Sequence, residues 1–254
     1  MPRLDRDGVH IYYETHGSGP AVLLTHGFSA TTAAWQPQVD ALSQRYRLMS
    51  WDLRGHGQSD SPDDPAAYSE ALSIADMLAL LDAEGVEQAV LGGHSLGGYL
   101  SLAFHCAHPE RVKGLMLLGT GPGFRKDPPR EAWNQRARSF ADTFEQKGLD
   151  ALGRSPEVRA GSHRSAQGLA HAARGILTQH DARIMNALGS IDVPSLVMIG
   201  DRDKPFLAAT DYMAAKIPQA KKVILRDAGH AANIEQATAF NTEFGAFLDQ
   251  LWAD

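Results

Sequence analysis

The chain has 254 residues and a formal net charge of −6, from 24 basic and 30 acidic side chains spread without a block of like charge. That balance speaks against a nucleic-acid partner, which needs a basic face. Cys106 is the sole cysteine, so no intrachain disulfide can form and a cysteine-based zinc site is not expected. A composition of 43% hydrophobic and 21% charged residues is ordinary for a globular chain, and this length suits one large α/β domain that folds without a metal or crosslink. No apolar stretch follows the charged N-terminus, and no window approaches about 18 apolar residues, so neither a secretory signal nor a membrane span is expected. The expected location is the cytoplasm.

In chain order, residues 9–14 read as a short strand closed by the turn Gly17-Ser18-Gly19-Pro20. Residues 21–25 are almost wholly apolar, the mark of a strand buried on both faces. A helix is predicted over 32–44, a strand over 48–51, and a loop at Arg54-Gly55-His56-Gly57. Ile74, Leu78 and Leu81 recur at helical spacing before Gly85. A strand over 88–92, a helix over 96–107 and a strand over 112–118 follow.

Such alternation of strands and helices implies crossover units and a parallel sheet. It stops over 121–190, where Pro122, Pro128, Pro129 and Pro156 fall among two helical patterns with no strand between them. One pattern places Trp133, Ala137, Phe140 and Phe144 on a face; the other covers about 166–188. This segment reads as a helical lid inserted into a core formed by residues 1–120 and 191–254. Alternation resumes with a strand over 195–199, a helix over 208–216, a strand over 222–225 and a last helix over 234–252.

Gly93-His94-Ser95-Leu96-Gly97 joins a predicted strand to a predicted helix. A side chain projected from so sharp a turn needs glycines on either side, where a Cβ would clash. Ser95 is therefore the candidate nucleophile, and Cys106, on the helix behind it, is expected to be buried and inert. A serine hydroxyl needs a base, and His230, in a loop between the last strand and the last helix, is the candidate. Among the remaining histidines, His163, His171 and His180 are expected to face solvent, His56 to structure its loop, and His94 to point away from the site. The acid that orients His230 would be Asp203, favoured over Asp201, which suits a turn-capping role. Two N–H donors would receive an oxyanion, those of Leu96 and Phe28, with the Phe28 ring and Trp133 lining the substrate pocket.

These pieces, with His26-Gly27-Phe28, Asp52-Leu53-Arg54-Gly55-His56-Gly57-Gln58-Ser59, Gly200-Asp201-Arg202-Asp203 and Gly229-His230, resemble the α/β-hydrolase superfamily over essentially the whole chain. The resemblance implies an eight-stranded, mostly parallel sheet whose second strand is antiparallel, flanked by helices, with a helical cap between strands six and seven. It also supports Asp203 as the acid. The segment 229–236 is similar to 3-oxoadipate enol-lactonases and small bacterial carboxylesterases. Haloalkane dehalogenases and epoxide hydrolases carry aspartate where Ser95 stands, and carbon–carbon hydrolases carry tryptophan where Ala231 stands. The resemblance thus implies cleavage of a small or medium ester or lactone, with no cofactor and no metal. An enol-lactonase, a cofactor-free haloperoxidase or perhydrolase, and a receptor-like binding protein of the same fold are the alternatives.

Overall fold

The computed structural model describes residues 3–253. Its strands are β1 (Arg3–Arg6), β2 (Val9–His16), β3 (Ala21–Thr25), β4 (Arg47–Trp51), β5 (Ala89–His94), β6 (Val112–Leu118), β7 (Ser195–Gly200) and β8 (Ala220–Leu225). They form one eight-stranded sheet in the order β1-β2-β4-β3-β5-β6-β7-β8. β2 runs antiparallel to both neighbours, and every other pairing is parallel. The helices are α1 (Gln36–Leu42), α2 (Glu70–Ala83), α3 (Leu96–Ala107), α4 (Asp127–Lys147), α5 (Pro156–Arg159), α6 (Ala166–Gly175), α7 (Arg183–Ala187), α8 (Lys204–Lys216), α9 (Ala232–Glu235) and α10 (Ala237–Leu251).

The continuous apolar strands are explained by a core on each side of the sheet. In β3, Ala21 and Leu23 enter one core with residues of α2, α3 and α8. Val22 and Leu24 enter the other, with Phe240, Phe244 and Phe247 of α10 and Val39 of α1. Both faces of the central strands are thus dry, and alternation of polar with apolar residues would fail there. α4 to α7 stand between β6 and β7. α4 and α6 share a small core of their own, Ala141 and Phe144 against Leu169, Ala170 and Ala173.

Several predicted elements differ in detail. β1 has no apolar run to announce it. It is an edge strand, Arg-Leu-Asp-Arg, whose alternate residues face solvent. The helix expected over 32–44 is a tight turn at Thr32–Trp35 followed by α1, with Pro37 in the first helical turn. The pattern over 166–188 breaks into α6 and α7, because Asn134 of α4 pairs with the backbone of Gln179 between them. Its Nδ2 donates to Gln179 O (2.8 Å), and Gln179 N donates to its Oδ1 (2.8 Å). α8 starts at Lys204, not 208, since Pro205 is tolerated in a first turn, where no intrahelical N–H bond is lost. The last helix is interrupted at Gln236, which has φ −130° and ψ 50°. On α4, Phe140 remains 38% exposed although it shares a helical face with the buried Ala137 and Phe144. Its ring stacks on Phe28, at 6.1 Å between centroids, over an open cavity.

One buried ion pair braces the loop after β4. Arg54 donates from Nε to Asp76 Oδ2 (2.7 Å) and from Nη2 to Oδ1 (2.9 Å), with Asp76 fully buried in α2. Arg54 also donates to Ala67 O. Removing one partner strands the other charge in the interior. Asp76→Ala is expected to lower unfolding stability by about 3–5 kcal/mol in a urea titration.

Candidate active site

β3, β5, β6, β7 and β8 are parallel, so the loops that follow them open on the same edge of the sheet. Those loops carry Phe28, Ser95, Thr120, Asp203 and His230, and all five line one cavity of about 670 Å³.

Ser95 sits at the tip of the turn from β5 into α3 with φ 53° and ψ −114°, a left-handed conformation unusual for a residue with a Cβ. The turn is held from several directions. Ser95 N donates to Leu118 O (2.9 Å), and Ser95 O accepts from Thr120 Oγ1 (2.7 Å) and from the amides of Gly98 and Tyr99. The flanking glycines are required by close approach. A Cβ on Gly93 would lie 2.1 Å from the Gly97 carbonyl carbon, and one on Gly97 would lie 2.0 Å from Thr25 O. The first turn of α3 is therefore pressed onto the ends of β3 and β5.

Asp203 stands just before α8, almost wholly buried, its side chain turned away from the helix start, and its Oδ2 lies 2.7 Å from His230 Nδ1. A carboxylate only accepts, so Nδ1 carries a proton, and in the neutral ring Nε2 keeps its lone pair. Asp201 is exposed and accepts from Ala228 N (3.3 Å), as expected for a residue that caps a turn. The Phe206 ring stacks on His230 at 5.0 Å and 22°. His94 does not point away: it lines the cavity, its ring centroid is 4.5 Å from that of His230, and its Nε2 lies 3.0 Å from His230 O. Burial first, then the nearby His230, push its pKa well below that of a free imidazole. Neutral His94 thus donates from Nε2 and fixes the backbone that carries His230.

The loop after β3 is fixed by a second neutral histidine. His26 Nδ1 donates to Gly27 O (2.7 Å), while its Nε2 accepts from Leu53 N (3.1 Å). Full burial lowers its pKa to about 3. A Cβ on Gly27 would fall 3.2 Å from Ser95 Cβ, so this backbone abuts the serine. The amides of Phe28 and Leu96 have no acceptor among the described residues. His163 is buried, contrary to expectation, whereas His180 is exposed. His163 Nδ1 accepts from Gly57 N (3.1 Å) and its Nε2 donates to Ser29 O (3.0 Å), joining the segment before α6 to two core loops. His56 lies between His26 and His163, at 5.1 and 5.7 Å, with its Nδ1 on Arg54 O, consistent with a role in its own loop.

The cavity is walled mainly by aromatic and aliphatic side chains, among them Phe28, Tyr99, Phe144, Leu177 and Phe206. Trp133 lines it too, with its Nε1 donating to Leu177 O (2.8 Å). Cys106 is half-buried behind Ser95, lies outside this cavity, and burial raises its pKa, which makes it a poor nucleophile. The sequence reading missed His94, Phe206, Gln179 and Glu157 as cavity residues. Only His94 carried a signal, its place beside Ser95.

The chain belongs to the α/β hydrolase fold family, whose model matches residues 20–172. Over 96% of its length it is 29% identical to a Bacillus subtilis protein provisionally named a 2-succinyl-6-hydroxy-2,4-cyclohexadiene-1-carboxylate synthase, 97% of which is covered. It is also 29% identical to 3-oxoadipate enol-lactonase 1 of Acinetobacter baylyi, over 97% of this chain and 96% of that one. A thermophilic esterase from Thermogutta terrifontis superposes with a TM-score of 0.86 at 26% identity, covering 99% of both chains.

The buried histidines make stability pH-dependent. His26, His56, His94, His105 and His163 all have folded pKa values below the ordinary 6.5, with burial as the leading cause. As pH falls below 6.5, the unfolded chain takes up protons that the folded chain refuses until about 3, in the case of His26, so stability is lost over that window. Asp52 runs the other way: burial raises it from 3.8 to about 6, so it favours the folded state on acidification. Five histidines outweigh this one carboxyl. Urea stability is expected to fall between about pH 7 and pH 5 by more than the roughly 1.4 kcal/mol per pH unit that one proton supplies. A flat profile would contradict the neutral assignments.

Proposed function

We propose that this chain is a serine hydrolase that cleaves a carboxylic ester or lactone through a covalent acyl-enzyme. The carrying observation is the 2.7 Å contact between His230 Nδ1 and Asp203 Oδ2 in a cavity that Ser95 also lines. In this reading His230 Nε2 takes the Ser95 hydroxyl proton as Oγ attacks the ester carbonyl carbon. The carbonyl π electrons move to oxygen, and the free amides of Leu96 and Phe28 receive that oxyanion. Collapse of the intermediate expels the alcohol, which takes its proton from His230. Water then attacks the acyl-enzyme by the same steps, restores Ser95 and releases the acid. Asp203 stabilises the imidazolium formed on the way.

The esterase and enol-lactonase similarities support ester chemistry. The Bacillus subtilis relative is named for a synthase, so an ester panel is the decisive assay. Turnover also separates an enzyme from a receptor-like protein of this fold. Asp203→Asn is expected to lower kcat on p-nitrophenyl esters by about 10⁴-fold, the loss seen for the equivalent change in a serine protease. Asp201→Asn should change it little. The larger loss at Asp201, or no ester turnover in the unaltered protein, would overturn the reading.

Residues 121–190 then act as a lid. Trp133, whose indole lines the cavity and donates to Leu177 O, limits acyl length. Trp133→Ala should shift kcat/KM in the acetate-to-decanoate p-nitrophenyl series towards longer chains. A lower Tm with an unchanged profile would instead make Trp133 a packing residue only.

A further inference from the structure

The hydrogen bond to Asp203 holds His230 at one point and leaves its ring plane free. Nδ1 lies 2.7 Å from Asp203 Oδ2, but a histidine χ2 is a broad, roughly two-fold torsion, so the ring can swing about that contact. For Nε2 to meet the Ser95 hydroxyl, the plane has to be set by what packs on it. Two rings border the imidazole. His94 is tilted by 56° with the centroids 4.5 Å apart, and its Nε2 bonds the His230 carbonyl. Phe206 lies nearly parallel to the imidazole, at 22° and 5.0 Å.

Phe206 is tied to the same turn as the acid. It stands in the first turn of α8, and its N–H donates to Asp203 O (3.1 Å). Pro205, between the two, has its φ fixed by its own ring. The carboxylate that meets Nδ1 and the ring that lies over the imidazole therefore come from one short, stiff turn. Phe206 belongs neither to the two cores of the sheet nor to the small core of the lid. It is half-buried and lines the cavity, as His230 does, so filling the interior does not account for it. The charged and titratable groups around His230 are Asp203, neutral His94 and Glu235, whose carboxylate accepts from Gly229 N (2.8 Å) and Ala231 N (3.2 Å). Arg136 and Glu157 share the cavity.

We propose that Phe206 is a positioning residue for His230, whose ring face sets the imidazole plane and attracts the imidazolium that forms as Ser95 attacks. The face of a benzene ring carries partial negative charge, so a cation within about 6 Å of its centroid is attracted, and a neutral imidazole gains less. The contact is therefore stronger in the transition state, where Nε2 takes the Oγ proton, than in the resting site. That difference is the condition for an interaction to raise kcat rather than to tighten substrate binding. An aliphatic side chain of similar size would fill the same wall without it. Imidazolium forms in both acylation and deacylation, so the contact acts whichever step limits turnover. The inference rests on the serine-hydrolase reading.

The test is a graded series at position 206: Phe206→Leu, Phe206→Tyr, and mono-, tri- and pentafluorinated phenylalanine placed there by site-specific incorporation. Measure kcat and KM on p-nitrophenyl butyrate, with Tm as the check on folding. Phe206→Leu is expected to lower kcat by about 2- to 30-fold, the span of cation–π strengths, with KM little changed. Fluorine drains the ring face, so kcat should fall in order of fluorine number, while Phe206→Tyr keeps most of the activity. Proton NMR of the resting protein reads the stack without turnover, with the His230 signals assigned by their loss in His230→Ala. Their ring-current shift should vanish in Phe206→Leu, and the pH at which His230 takes up its proton should drop as fluorines are added. If the unaltered protein hydrolyses no ester, the ester reading fails and this titration still decides the role of Phe206. An unchanged kcat in Phe206→Leu, equal kcat across the fluorinated series, or a loss confined to KM or Tm would overturn the proposal. So would a His230 titration indifferent to fluorination.

Discussion

A left-handed serine cannot hold itself. Ser95 at φ 53° is higher in energy than the same residue in a helix or strand, by an amount on the order of 1–3 kcal/mol, and persists only because its surroundings leave no alternative. Those surroundings are the parallel sheet. Leu118 of β6 takes its N–H, Thr120 after β6 bonds its carbonyl, and β3 presses on Gly97 from the other side. The strain is therefore met by strand pairing and by two cores, and it projects one hydroxyl-bearing side chain into the cavity. The first turn of α3 follows at once, with the Leu96 amide unengaged beside the serine.

The same economy of backbone governs the other residues at this edge. Each stands just past the end of a parallel strand, so the spacing of neighbouring strands sets their separation, and neutral histidines do the fine positioning. His26 fastens the Gly27 carbonyl to the loop after β4, and His94 fastens the backbone of His230. Both lose their basicity to burial. That loss leaves the hydrogen-bond pattern fixed near neutral pH, and makes the fold acid-sensitive. His163 extends the arrangement upward, from the segment between α5 and α6 to the loops of Ser29 and Gly57.

Much of this was legible beforehand, for physical reasons that differ by region. Ala21–Thr25 and Val112–Leu118 are strands buried on both faces, and a continuous apolar run bounded by turns has few other readings. The Gly93, Ser95, Gly97 pattern announces itself because the sterics demand those residues. β1 stayed hidden because an exposed edge strand needs no apolar signal, and the break between α6 and α7 because it depends on Asn134, about 45 residues earlier in the chain. The direction of His94 and the burial of His163 depended on which loops meet in space. Glu157 and Gln179 were invisible for the same reason. Each is one polar residue among several in its segment, and only the packed chain shows which of them reaches the cavity wall.

Acylation at Ser95 Oγ is the step on which the proposed ester chemistry depends. Treatment with a fluorophosphonate, followed by peptide mass spectrometry, tests this without knowledge of the natural substrate. One adduct is expected, on Ser95, absent from Ser95→Ala and slowed strongly in His230→Ala. An adduct on Cys106, or on no serine, would contradict it.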